Sequence, residues 1–257
     1  MLSSNLFTRY VPAITKLPLN QRLTKDDLLT EDFLLHQEGK ISVYYAPHNE
    51  YINVLARVLI VGITPGWNQM ELAFRKARGY LEQGLPYEEI CKKVKADARF
   101  AGSMRSNLIE MLNALELHRW LGVTSCDALF KGEGELLHTT AMLKYPVFVD
   151  RRNYTGHQPP LLSHAYLKEQ AYQSLQTEAT LLDRPLIIPL GKTVESVLHL
   201  LAAEDVIRTE QCVWGFPHPS GANGHRLKQF EQSFDSMKSI IGKFSRRNPI
   251  QHGLHGM

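Results

Sequence analysis

Val54-Leu55-Ala56-Arg57-Val58-Leu59-Ile60-Val61, closed by Gly62, is the stretch that decides the fold. Its apolar, β-branched run is that of a strand buried on both faces, as inside a parallel sheet. Parallel strands need crossover connections, and helical periodicities supply them downstream. Working outward, residues 70–84, 87–94 and 103–117 read as helices, the last with Leu108, Met111, Leu112 and Leu115 on one face. Residues 122–126 read as a second strand, 185–190 as a third stopped by Gly191, and 211–216 as a fourth. Helices are expected over 165–182 and 193–203, and from Arg226 onward, where Phe230, Phe234, Met237, Ile241 and Phe244 recur. This alternation predicts an α/β fold, a three-layer α/β/α sandwich around a central four-stranded, mainly parallel sheet.

Residues 128–164 lack sustained periodicity and read as a long, elaborated connection. Before the first strand, Thr24 can cap a helix over 25–36 carrying Leu28, Leu29, Phe33 and Leu34, and residues 1–50 hold no recognisable chemistry. The expected organisation is an N-terminal extension over 1–50 packed on the core, a domain over 51–245, and a basic flexible tail over 246–257.

Composition narrows the class. With 257 residues, 44% of them hydrophobic, the chain can fill a core, which excludes a disordered or fibrous protein. The net charge of +3 is too small to announce a nucleic-acid binder. Its distribution says more: the segment from Arg226 carries +4, which leaves −1 on the preceding 225 residues. Cys91, Cys126 and Cys212 are too scattered for a disulfide framework or a metal pair, so a reducing, cytoplasmic setting is expected. No signal-like start and no 18-residue apolar stretch point to secretion or a membrane.

In open parallel sheets, ligands bind beyond the carboxyl ends of the strands. The first such loop, Gly62-Ile63-Thr64-Pro65-Gly66-Trp67-Asn68, is a tight turn that can bring backbone N–H groups and the Thr64 and Asn68 side chains to a ligand. An ordinary strand–helix turn is the competing reading, and the spacing matches neither phosphate-binding glycine motif. The last loop, Trp214-Gly215-Phe216-Pro217-His218-Pro219-Ser220-Gly221-Ala222-Asn223-Gly224-His225-Arg226, is denser in meaning. A histidine between two prolines has little backbone freedom, which suits a directed hydrogen-bond donor. Ser220, Asn223 and Arg226 are the phosphate-contact candidates.

Taken together, Gly62-Ile63-Thr64-Pro65-Gly66 and His218-Pro219-Ser220 resemble the first and last motifs of the uracil-DNA glycosylase superfamily. The helix from Gly102, the Val123-Thr124-Ser125 segment and Ile187-Ile188-Pro189-Leu190-Gly191-Lys192 are similar to intervening family segments, so the likeness spans residues 57–226. The resemblance implies hydrolysis of a base–sugar bond in double- or single-stranded DNA; no metal or organic cofactor is expected, and a monomer is expected because proteins that track DNA are commonly monomeric. It implies that His218 donates to the leaving base and that Trp67 or Phe74 forms a stacking floor, with core packing as the alternative for either.

Three departures qualify it. Thr64 stands where most active relatives carry Asp, Asn or Glu to hold the water; Thr64 or Asn68 is left to orient it, with Asp127 or Asp150 as the source of a carboxylate. Ser125 stands where uracil-specific relatives place a base-reading Asn, and Asp127 beside it would accept from a cytosine amino group. Ala222 replaces a bulky Leu that some relatives insert into the base stack. The cation- and aromatic-rich loop 144–156 adds Asp150 and Tyr154 as pocket candidates and Arg151 and Arg152 as DNA contacts; the competing reading is a charged surface hairpin. The expected activity is a DNA glycosylase acting on a non-standard pyrimidine, a modified cytosine or uracil, in repair or in defence against phage with modified DNA. The alternatives are a catalytically inactive DNA-binding module and a nucleoside or nucleotide hydrolase.

Overall fold

The computed structural model of the chain describes residues 1–131 and 135–250. Helix α1 (Leu6–Lys16) buries Phe7, Tyr10 and Ile14, and α2 (Lys25–Leu28) is one turn closed by a reciprocal Thr24–Asp27 capping box. The helix expected over 25–36 stops there. Leu34–Glu38 is strand β1 and Ile41–Tyr44 is strand β2, joined through Gly39 at φ +55°. Leu28, Leu29 and Phe33 are buried against α1, so their spacing reflects tertiary contact rather than one continuous helix.

The Val58–Gly62 run forms strand β3, buried as its composition requires. It is followed by α3 (Trp67–Glu82), α4 (Tyr87–Ala98), α5 (Gly102–Ala114) and α6 (Leu117–Leu121). Next come β4 (Leu137–Ala141), β5 (Val147–Val149), β6 (Arg152–Asn153) and α7 (Ala165–Leu181). Strand β7 (Leu186–Pro189), α8 (Lys192–Ala203) and α9 (Arg226–Arg247) complete the chain.

The central sheet is parallel in the order β4-β3-β7, with helices on both faces. It has three strands, not four. The segment expected as the fourth makes one parallel bridge, Ile187 with Cys212, reinforced by the Val213 N–H to Ile187 O bond of 2.9 Å. Gly215, at φ +86°, then turns the chain away. Residues 122–126 are also no strand: Gly122 ends α6 in the left-handed region, and Ser125 caps a 3-10 turn over Cys126–Phe130. The strand beside β3 is instead β4, whose Leu-His-Thr-Thr-Ala sequence lacks an apolar run yet is buried throughout.

One face of this sheet packs Val58, Ile60 and Ile188 against α5, α6 and α9; the other packs Leu59, Val61 and Ile187 against α7 and α8. A second, antiparallel sheet, β1-β2-β5-β6, lies beside this second face. Its alternation places Ile41, Val43 and Val147 toward α7 while Tyr44 and Phe148 face α1, α3 and α4. Residues 1–50 thus supply two strands of a shared sheet. At the other end, α9 continues through Arg247, and Trp120 Nε1 donates to Asn248 O at 3.0 Å, so a tail does not begin at 246. His252 and His255 lie outside the described residues.

Candidate active site

A cavity of about 990 Å³ opens at the carboxyl ends of β3, β4 and β7. Both motif loops line it, as does the wall between α4 and α5. His218 is mostly buried, and its Nδ1 accepts the Ser220 backbone N–H at 3.3 Å. That bond puts the remaining proton of a neutral ring on Nε2. Burial holds the His218 pKa below the ordinary value, so the imidazole is neutral at physiological pH and remains a donor.

The loop around His218 is braced from several sides. Asn107 Nδ2 donates to Pro219 O at 2.9 Å, Asn223 Nδ2 to His218 O at 3.2 Å, and Arg226 Nη1 to Ser220 O at 3.2 Å. Asn223 and Arg226 therefore hold the loop's shape, and their bonded donors are engaged within it. Gly191, at φ +91°, passes so close that a Cβ there would sit 3.2 Å from His218 Cβ. That approach fixes where α8 begins relative to the histidine.

In the first loop, the Thr64 hydroxyl donates to Tyr145 O at 3.0 Å and accepts from the Val147 N–H at 3.1 Å. Its proton is committed to tying the loop to β5. Trp67 opens α3 on the cavity wall, its backbone N–H donating to Asn153 Oδ1 at 3.0 Å, with Lys25 Nζ 5.9 Å from the ring centre. Asn68 follows it, exposed on the same wall. Tyr154 also lines the cavity; its O–H donates to Pro159 O at 2.6 Å, and burial pushes its pKa up to about 12.

The remaining sequence candidates lie off the cavity wall. Phe74 is fully buried beneath it, packed edge-on against Phe33 and Tyr45; its position on α3 turns it into the core. Ser125 is bonded to Asn113, and Asp127 pairs with Lys131, because residues 122–126 do not lead to the cavity as a strand would. Asp150 and Arg151, at φ +48° and +61°, form the two-residue turn of the β5–β6 hairpin. Asp150 pairs with Lys40 and Arg151 with Asp26, so the charged surface hairpin is what forms there, with Arg152 exposed on it.

Sequence reading missed other wall residues. Phe100, in the linker before α5, is an aromatic at the cavity; its place directly ahead of the family-like helix from Gly102 was the available signal. Glu195 is the one carboxylate among the described lining residues, and it accepts the Gly215 N–H. Ala141 ends β4 and lines the cavity beside Thr139 and Thr140. His48, Asn49 and Lys95 line the wall from the side of β4. Behind them, Glu178 accepts from the Thr140 hydroxyl at 2.8 Å and from His138 Nε2 at 2.9 Å. Asn53 N–H donates to His138 Nδ1, which leaves the Nε2 proton for Glu178, and burial lowers the His138 pKa to about 4. Nothing in the sequence pattern of residues 1–50 flags His48. Among the described residues, no group of three or more His, Cys, Asp or Glu side chains could hold a metal ion.

A parallel sheet with a glycine-proline turn after its central strand and a braced His-Pro-Ser loop beside it is a glycosylase-type architecture. The chain belongs to the uracil DNA glycosylase superfamily, whose family model matches residues 50–240. It is 43% identical over 228 residues to the uncharacterized protein YoxB of Bacillus subtilis (strain 168), covering 88% of this chain and 89% of that one. Wild-type SMUG2 of Pedobacter heparinus, a solved structure, is similar with a TM-score of 0.48 at 15% identity, over 93% of this chain and 98% of that one. No helix among the described residues is long and apolar enough to cross a membrane.

Proposed function

We propose that the protein is a monofunctional DNA glycosylase that hydrolyses the N-glycosidic bond of a non-standard pyrimidine and leaves an abasic site. The observation that carries this reading is His218: neutral, braced by its loop, with its remaining proton on Nε2 beside the cavity. As the bond from C1′ to the base breaks, its electron pair leaves with the base, positive charge is shared between C1′ and the sugar ring oxygen, and negative charge gathers on the carbonyl oxygen of the base. A fixed donor there stabilises the transition state more than the ground state. Water adds to C1′, and its proton is released. With the Thr64 proton engaged elsewhere, Asn68 and the Glu195 carboxylate are the polar wall groups best suited to orient that water. Phe100 and Trp67 offer faces for the extruded base.

None of the residues that end β4 at the cavity, Thr139, Thr140 and Ala141, carries a base-reading amide, which argues against plain uracil as the preferred base and favours a modified cytosine or uracil. The biological setting would be repair or defence against phage whose DNA carries such bases. Extrusion from a duplex needs a wedge, and Leu227 is the apolar candidate. It is 61% exposed in the first turn of α9, between Arg226 and Lys228 and directly behind the His218 loop.

The test is incubation with single- and double-stranded oligonucleotides carrying uracil, hypoxanthine and oxidised or modified cytosines, followed by alkaline cleavage of abasic sites. Cleavage by the wild type and its loss in His218→Ala supports the reading; cleavage that survives His218→Ala overturns the assignment. Leu227→Ala should lower excision from duplex about tenfold or more while sparing single strands. A second reading, DNA recognition without catalysis, is favoured by the engaged Thr64 hydroxyl. Retention of DNA with no abasic product from any substrate would select it.

A further inference from the structure

His48 sits on the 3-10 turn Pro47–Asn49, packed against α4. It is 3% exposed and lines the cavity, yet neither ring nitrogen has a hydrogen-bond partner among the described residues. Buried polar groups are almost always paired, so one left unpaired on a cavity wall marks a place that a ligand or water completes.

Charged groups of both signs surround it. Lys95 is drawn to Glu178, Lys144 lies 3.4 Å from Glu50, and Arg99 donates to the Ala96 and Leu129 carbonyls. Lys95 Nζ is 3.4 Å from Asn49 Oδ1, and Asn49 Nδ2 donates to Lys144 O at 2.8 Å. His48 itself is neutral, because burial and then the Lys95 charge lower its pKa to about 3. A neutral imidazole offers one N–H and one lone pair. A hydroxyl, which both accepts and donates, can satisfy either or both; an anion can use the N–H alone.

The position of the cluster says which part of a base would meet it. His218 follows the segment that bridges β7, whereas Lys95 and Asn49 are tied to β4 at the opposite edge through Glu178 and Lys144. Neighbouring strands are ~4.8 Å apart, and β3 lies between β4 and β7, so the two edges of the sheet that carry these groups are two spacings from each other. In a pyrimidine, the atom across the ring from the carbonyl carbon that bears O2 is C5. A base held at O2 by His218 therefore directs a C5 substituent away from His218. On the β4 side, Ala141 leaves the room that a longer side chain would occupy.

We propose that His48, Asn49 and Lys95 form a subsite for a hydroxyl-bearing substituent on the flipped base, at the ring position opposite the oxygen held by His218. The placement of the base rests on the glycosylase reading above. The test compares wild type, His48→Phe and His48→Gln on matched duplexes bearing either a 5-hydroxymethyl or a 5-methyl pyrimidine. A parallel arm measures thermal shifts with the free nucleosides 5-hydroxymethyl-2′-deoxyuridine and thymidine. The expected result is a preference for the hydroxylated partner that falls roughly tenfold in His48→Phe, the loss of about one hydrogen bond, and is kept by His48→Gln, which retains a donor and an acceptor. His48→Phe should melt no lower than wild type, since it removes an unpaired buried polar group.

Equal handling of both pyrimidines by the wild type, or an equal fall for both in His48→Phe, overturns the subsite and leaves the glycosylase reading standing. If no base is excised, that reading fails, and the thermal-shift arm decides the subsite alone. A preference there that His48→Phe abolishes sustains it; no preference means water only, and it is withdrawn.

Discussion

His218 must keep its proton on the nitrogen that faces the leaving base and must stay neutral, because a second proton on Nδ1 would oppose the Ser220 N–H. The Ser220 N–H and burial impose both conditions on His218. His218→Ala is expected to lower kcat by roughly 10²–10³, the cost of one preorganised donor. Because burial depresses its pKa, the wild-type rate should stay level as pH falls to about 6.5, the ordinary histidine value, and drop only below it; a pH–rate profile checks this. Thr64 is a residue of the opposite kind. Its hydroxyl ties the loop after β3 to the backbone entering β5, so Thr64→Val leaves the buried Val147 N–H unpaired and should cost about 1–3 kcal/mol in urea unfolding. His-Pro-Ser pointed to His218 because proline restricts its neighbours whatever surrounds them. The engagement of Thr64 was not legible, since its partners Tyr145 and Val147 are eighty residues away in a segment without periodicity.

At the scale of elements, long helices and β3 were readable and short polar strands were not. The helices expected over 165–182 and 193–203 differ from α7 and α8 by one residue at an end, because an amphipathic face repeats over several turns. Strand β4 escaped because its His138 and Thr140 side chains are buried by bonding to Glu178 of α7, a compensation that hydropathy cannot register. The β5–β6 hairpin was legible only as a competing reading, because Asp150-Arg151 occupies a turn whose two positive φ angles usually call for Asn-Gly. Replacing Arg151 by Gly relieves that geometry at the expense of an exposed ion pair with Asp26. The net expectation is a gain of roughly 0.5–1 kcal/mol, measured as a higher urea midpoint with unchanged slope. The +4 segment is likewise redistributed by its element. At about 1.5 Å per residue, the 22 residues of α9 carry Arg246 and Arg247 roughly 30 Å from the loop that holds His218. Salt dependence of DNA binding should therefore respond more to Lys192 and Lys228 near the cavity than to the arginines at the far end.

Over the whole molecule, the polar groups beneath the cavity make stability depend on acid. Burial holds His48 near pKa 3 and His138 near 4, both below the unfolded value of about 6.5. The unfolded chain thus binds these protons first, and stability is complete above pH 6.5 and lost as pH falls toward the folded values. Between pH 6 and 4.5 the slope should approach two protons, about 2.7 kcal/mol per pH unit, and His48→Phe should reduce it by one proton in urea titrations. By itself the sequence determined the layered α/β plan, the two motif loops and the histidine between its prolines. Those features follow from local stereochemistry and from periodicities carried within single segments. Tertiary structure alone decided that the second strand is β4, that Ala141 ends it, that Phe74 is core, and that residues 1–50 deliver His48 to the cavity. Each of these depends on which distant backbone or side chain compensates a buried polar group or covers an apolar one, and such pairing is a property of the folded packing.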